Sequence, residues 1–296
     1  MVYLCPANSP ELYRARVTGI YNELKINMDK IDRDEKLLMA RIERRLMKGI
    51  VDYGLIEDGD RILVGVSGGK DSLALTELLA RRSRIWKPRF EVVAVHVTMT
   101  NIGYQADTDW LSGFCAELGI PFYVREESFD ASTDSRKSPC FLCSWNRRKA
   151  LFTLAHETGC NKIALGHHMD DILQTLLMNL TYQGAFSTMP PKLVMKKFSM
   201  TLIRPLCLVH EQDLVEMSRL RRWPQQKKNC PYETQSGRSE MKDIFRRLEQ
   251  LNPEARYSLW GGNDQCSGRT FATKSERVSD AFLCLKFWEC HSSVSQ

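Results

Sequence analysis

The sequence predicts an α/β fold, a parallel β-sheet flanked by helices, with helical additions at both ends. Three observations predict it. Short apolar, β-branched runs recur at residues 62–66, 90–97, 121–126, 162–168 and 201–206. Stretches with helical periodicity separate most of them, and strands alternating with helices make βαβ units that bury both faces of a sheet. The first run ends in Ser67-Gly68-Gly69-Lys70-Asp71-Ser72, a tight turn that leads straight into a helical pattern.

Taken in order, residues 1–30 carry Pro6 and Pro10, which break any early helix, and receive no function. Residues 32–53 place Leu37, Leu38, Ala40, Ile42, Leu46, Ile50 and Val51 in a rough helical stripe, with Asp32 or Asp34 as cap. This helix is expected to pack beside the nucleotide domain. The strand RILVGVS and the helix LALTELLARR follow, then the remaining strands and their helices. Residues 209–261 read as largely helical and basic, punctuated by Pro224, Pro231 and Pro253. Residues beyond 263 show no pattern. The expected divisions are an N-terminal segment at 1–54, an α/β domain at 55–208, a basic helical region at 209–262 and a tail at 263–296.

The totals bound the function. A hydrophobic content of 43% with 26% charged residues is that of a globular protein. No apolar run approaches the ~18 residues of a membrane span, and the first residues lack a secretory h-region. A cytoplasmic location is expected. The net charge is +6. Its basic residues cluster at Arg81, Arg82, Arg84, Lys87 and Arg89, at Arg147, Arg148 and Lys149, at Arg219, Arg221 and Arg222, and at Lys227 and Lys228. Such clusters suit an RNA partner or are ordinary solvated helix faces. Ten cysteines in a reducing compartment favour metal or sulfur chemistry over disulfides.

The glycine turn is an anion site. Gly68 and Gly69 let the backbone approach a ligand, and the free N–H groups of the following helix favour phosphate. Ser67 and Ser72 add hydroxyls and Lys70 a charge. Asp71 makes sense beside phosphate if Mg²⁺ sits between them. This is not a Walker A loop, because Asp71 stands where that motif has Ser or Thr. Ligands of parallel sheets bind at the carboxyl ends of strands. By that rule Ser67, the strand end near His96 and Val97, and the stretch from Gly166 to Asp171 are expected to face one crevice.

Two further strings carry chemistry. Cys140 and Cys143 form a C-x-x-C with no second pair to complete a zinc site, which leaves a metal cluster or a redox pair. Cys230 lies far along the chain beside a basic turn. It is either a third ligand or a small buried hydrophobe. Three thiolates around a [4Fe–4S] cluster would leave one iron without a protein ligand and able to present sulfur. Cys115, Cys160 and Cys207 sit in apolar segments and read as core. LGHHMDDILQTLL sets His167, His168, Asp170 and Asp171 at a strand-to-helix junction. Asp171 is either a helix cap or a Mg²⁺ or substrate group, and the histidines are either structural or metal ligands.

SGGKDS resembles the PP-loop of the ATP pyrophosphatase superfamily. With the C-x-x-C followed by Arg147 and Arg148, LGHHMDDILQTLLMNL, MPPKL, IRPL and the isolated Cys230, in that order, the chain resembles the tRNA 2-thiocytidine synthetase family. The resemblance implies an adenine nucleotide alpha hydrolase-like fold. It implies a sulfurtransferase that activates the C2 oxygen of the anticodon-loop cytidine at tRNA position 32 with ATP and Mg²⁺. Sulfur then replaces that oxygen through a three-cysteine [4Fe–4S] cluster. The implied partners are tRNA, a cysteine desulfurase or other sulfur donor, and a second copy of the chain. Carried over, Ser67 to Ser72 are the PP-loop, and the cluster ligands are Cys140, Cys143 and Cys230. The expected ATP site is Val66, Ser67, Gly68, Gly69, Lys70, Asp71, Ser72, His96 and Gly166. The catalytic groups are Asp71, Arg147, Asp170 and Asp171. The basic residues Arg148, Lys149, Lys192, Arg221, Arg222, Lys227 and Lys228 are expected against tRNA.

The chain also departs from that family. Met169 stands where Arg is usual, and Glu233 where a second cysteine after Cys230 often falls. The string CPYE instead resembles a sister family that thiolates uridine at tRNA position 54, without that family's terminal cysteine pairs. A cluster-free tRNA ligase of the lysidine type and a non-catalytic RNA-binding protein are the other classes.

Overall fold

The run of β-branched and aliphatic residues after Asp60 leaves no polar face, so it is stable only with both sides covered. In the computed structural model, which describes residues 33–85, 87–101, 106–129, 139–224 and 237–268, this run is β1 (Asp60–Gly65), and Ile62, Leu63 and Val64 are fully buried. Covering one such side chain is worth roughly 1.5–3 kcal/mol. The other strands are β2 (Phe90–Met99), β3 (Phe122–Glu127), β4 (Lys162–Ala164), β5 (Lys192–Met195) and β6 (Met200–Ile203). They form one sheet in the order β3-β2-β1-β4-β6-β5, parallel except where β5 pairs antiparallel to β6. The order reverses between β1 and β4, so the crevice of such a sheet opens beyond Gly65 and Ala164.

The chain falls into two compact units, residues 1–44 and 45–296. A helix, α1, spans 33–52. In the first unit it buries Leu38, Met39 and Ile42; in the second it buries Leu46 and Ile50. The remaining helices, all in the second unit, are α2 (Lys70–Ser83), α3 (Thr108–Glu117), α4 (Pro139–Glu157), α5 (Met169–Gln183), α6 (Glu211–Arg221), α7 (Gly237–Leu251) and α8 (Ala255–Gly268). Leu154 and Ala155 of α4 join Leu63, Val93, Val95, Ile163 and Leu202 of the sheet in one apolar cluster. Ile172, Leu173 and Leu176 of α5 join Met241 and Phe245 of α7 and Trp260 of α8 in another. At the strand starts a buried Lys162 is fixed by Asp60 at 2.7 Å and by the Leu55 carbonyl at 3.0 Å. No described helix is long and apolar enough to cross a membrane.

The α/β architecture and the five expected strands are present; the strand expected over 201–206 ends at Ile203, and two further differences stand out. The strand expected over 162–168 ends at Ala164, because the residues after it leave the sheet to start α5. The hairpin strand β5 was not expected. It is four residues long, and its turn passes through Lys196–Phe198 to Ser199 at φ 45°, with none of the Gly or Asn that marks such turns.

Candidate active site

The β1–α2 turn is a preformed loop. The Ser72 hydroxyl donates to the Gly69 carbonyl at 2.8 Å and accepts from the Ser67 amide at 3.2 Å, while the Ser67 hydroxyl accepts from the Gly69 amide at 3.3 Å. Gly68 sits at φ 82°, where a side chain would be strained. Gly69 is the N-cap of α2, and no side chain caps that helix. The first amides of α2 are therefore not taken by a cap, as a phosphate site requires.

Gly166 closes the crevice from the β4 side. A Cβ there would lie 3.2 Å from the carbonyl carbon and oxygen of Asp71 and 3.3 Å from the Ser72 nitrogen. Glycine permits this backbone contact between the two halves of the switch point. From β2, the His96 Nδ1 lies 2.7 Å from the Val66 carbonyl. A carbonyl only accepts, so Nδ1 carries the proton. Burial pushes the His96 pKa down, the Val66 carbonyl opposes this, and the Arg147 charge pushes it down further. The ring is held neutral beside the loop.

Arg147 belongs to α4, four residues after Cys143 on the same helical face. It is half-buried, and its Nε is buried without a hydrogen-bond partner among the described residues. Cys143 is half-buried and, with Leu142, packs against Met99 and Phe129. Cys140 lies in the first turn of α4, one turn before Cys143. Positions three apart on one helix share a face, the spacing a metal cluster needs of its ligands. Cys230, Lys227 and Lys228 lie outside the described residues.

The junction after β4 is built from charges. His168 is the N-cap of α5, and its Nδ1 accepts from the Asp171 amide at 3.3 Å while the Asp171 carboxylate accepts from the His168 amide at 3.3 Å. With Nδ1 accepting, Nε2 carries the proton, and it lies 3.4 Å from Asp171 and 3.9 Å from Asp71. Asp170 is buried. One oxygen accepts from the Arg256 guanidinium at 2.7 Å, the other from the Glu211 amide at 2.7 Å. Burial would raise the Asp170 pKa, but Arg256 and the amide outweigh it and hold the carboxyl below its ordinary value.

Lys70 lies 3.0 Å from Asp71 and 3.5 Å from Glu211. Burial would lower its pKa, but Asp71 and Glu211 outweigh that and raise it. The loop, His96, Gly166, His168 and Asp171 thus come together as expected. Of the expected tRNA-facing residues, Lys149 is exposed and Arg148 half-exposed on α4. Arg221 lies 3.1 Å from the buried Glu77, Lys192 donates to the Gly54 carbonyl at 2.7 Å, and Arg222 is the left-handed C-cap of α6. Glu211, Lys242 and Arg256 escaped sequence reasoning. No local spacing marks them, since Glu211 is 141 residues from Lys70.

A family model described as a PP-loop domain matches residues 38–234. A tRNA-cytidine(32) 2-sulfurtransferase of Geotalea daltonii is 38% identical over 76% of this chain and 91% of its own length. The enzyme of that name from Acinetobacter baumannii is 34% identical over 80% of each chain. Among solved structures, the U34-tRNA thiolase NcsA from Methanococcus maripaludis, with its [4Fe-4S] cluster, is similar with a TM-score of 0.63 and 27% identity. That likeness covers 77% of this chain and 78% of the other.

Proposed function

We propose an activity from the following premise: the chain belongs to the PP-loop family and, within it, to the tRNA-cytidine(32) 2-sulfurtransferases. It is a sulfurtransferase that thiolates tRNA. The finer reading is that it adenylates the C2 oxygen of the cytidine at tRNA position 32 and replaces that oxygen with sulfur, giving 2-thiocytidine. The observation that carries this reading is on α4. One helix holds Cys140 and Cys143, and one turn later the Arg147 charge reaches His96, which is bonded to Val66 at the mouth of the PP-loop. The sulfur side and the nucleotide side of the reaction share one helix.

ATP phosphates sit on residues 67–72, against the uncapped start of α2 and the Lys70 ammonium. Asp71, a third exposed at the loop, is the group that would hold Mg²⁺. The C2 oxygen of the base attacks the α-phosphorus and pyrophosphate leaves, which makes a poor leaving oxygen into a phosphate ester. Arg147, whose buried Nε has no hydrogen-bond partner among the described residues, stabilises charge as it develops. Asp171 and His168 fix the turn beside Asp71, and Asp170 anchors α6 and α8 to it. Cys140, Cys143 and Cys230 would hold a [4Fe–4S] cluster, which supplies an iron open to sulfur. Sulfur at the sulfide level then attacks C2, and AMP leaves with the oxygen it replaces. A base in a loop is reached without opening a duplex. The same reading includes a cytoplasmic homodimer fed by a cysteine desulfurase.

The test is mass spectrometry of tRNA nucleosides from cells with and without the gene, with the modified position mapped. Loss of 2-thiocytidine at position 32 is expected. Loss of a 2-thiouridine instead would keep the chemistry and move the target base. No change in any thiolated nucleoside would overturn the reading in favour of a ligase or an RNA-binding protein.

A further inference from the structure

Three charges stand in a row beside the PP-loop. Lys70 Nζ lies 3.5 Å from one Glu211 oxygen, and Lys242 Nζ of α7 lies 2.7 Å from the other. Glu211 is fixed from its main chain as well. It opens α6, where the His210 side chain supplies no cap, and its amide donates to Asp170 at 2.7 Å. Burial would raise the Glu211 pKa, but Lys242 and Lys70 outweigh it and hold the carboxylate ionised. The Lys70 ammonium is thus pulled from two sides, by Asp71 within the loop and by Glu211 from outside it.

We propose that Glu211 is a positioning residue for Lys70, and that Lys242 governs how readily Glu211 releases it to ATP. The proposal rests on the reading of the PP-loop as an ATP site. A polyphosphate brings several negative charges to the loop, and Lys70 is the cation that follows them. When it turns to phosphate, it gives up Glu211. A half-buried carboxylate stripped of its partner is costly. Glu211 is not stripped, because Lys242 keeps its second oxygen. Lys242 itself is two-fifths exposed, and its ion pair is with Glu211. It acts on ATP only through that carboxylate.

Calorimetric titration of the full chain with ATP and Mg²⁺, without tRNA, tests this in a double-mutant cycle. Glu211→Gln removes a competing anion and is expected to tighten ATP roughly threefold or more. Lys242→Met is expected to weaken ATP by roughly the same factor in the native background and to have no effect in the Glu211→Gln background. Lys242→Arg restores native binding. Glu211→Met provides a second neutral background should Glu211→Gln not fold. Equal effects of Lys242→Met in both backgrounds would mark a general field effect and overturn the proposal, as would unchanged binding in Glu211→Gln. A native chain that binds no ATP would overturn the functional reading, and this inference with it. Additive effects in a chain that does bind ATP overturn the inference alone.

Discussion

Gly166 and Asp71 meet backbone to backbone: a Cβ on Gly166 would sit 3.2 Å from the Asp71 carbonyl carbon and oxygen. The contact locks the end of β4 to the first turn of α2. Gly166→Ala is therefore expected to push that turn outward, at a cost of about 1–3 kcal/mol. ATP affinity should fall with it, because the same turn carries the phosphate-facing amides. Chemical denaturation and ATP titration check both, and native ATP affinity in Gly166→Ala would show that the turn has room to move.

Asp170 is one-tenth exposed and holds both Arg256 and the Glu211 amide. Asp170→Asn leaves Arg256 without that buried charge and should cost roughly 3 kcal/mol at neutral pH. The carboxyl is held below its ordinary value of 3.8, so its contribution is complete above that pH and fades as pH falls through the folded value. The stability gap between the native chain and Asp170→Asn should stay constant from pH 7 to about 4 and close in stronger acid. A gap that closes near pH 6 would point to another group.

His210 titrates in the opposite chemical sense but with the same pH sign. Burial and the charges of Arg256 and Arg45 push it from 6.5 down to about 4. It is neutral in the folded chain and takes a proton on unfolding, so stability is lost as pH falls from 6.5 towards 4. His210→Gln should flatten that part of the stability profile, measured by denaturation at pH 7 and pH 5. An unchanged profile would assign the loss to other groups, of which His96 is one, since it is also pushed down.

Arg147 lowers the His96 pKa through its charge. Arg147→Met should raise the His96 titration point, as followed by NMR of the imidazole protons. Thiolation should fall about a hundredfold or more, while ATP still binds. A fall in ATP affinity equal to the fall in rate would move Arg147 from the reacting centre to the nucleotide site.

Cys143→Ser and Cys230→Ala are expected to abolish thiolation and leave ATP binding intact. Iron content and the visible absorption of anaerobically purified protein provide the second readout. Full thiolation by Cys230→Ala would remove the three-cysteine scheme.

The glycine turn, the strand pattern and the order of motifs were legible because they are local: each depends on residues within one or two turns of chain. The crevice followed from a rule about strand ends, which brought Ser67, His96 and Gly166 together without any contact being known. What stayed hidden was pairing across the chain. Asp170 carries the same aspartate side chain as Asp171, yet one anchors Arg256, 86 residues away, and the other reaches back three residues to His168. Nothing in the local string separates them. Two of the basic residues have intramolecular partners that were hidden for a like reason. Arg221 and Lys192 look like surface charge until Glu77 and Gly54 are placed beside them.

The Asp170–Arg256 pair also decides how the gene can be cut. A shortened chain ending in the loop after α6 would keep all of the sheet, the PP-loop and the cysteine pair of α4. It would nevertheless carry an anion in its interior with its cation deleted, and a bare face on α5 where Met241, Phe245 and Trp260 belong. A chain cut there is therefore expected to be less stable than the full one. Fusion partners or tags are expected to be better tolerated after Trp260 than at the end of the sheet.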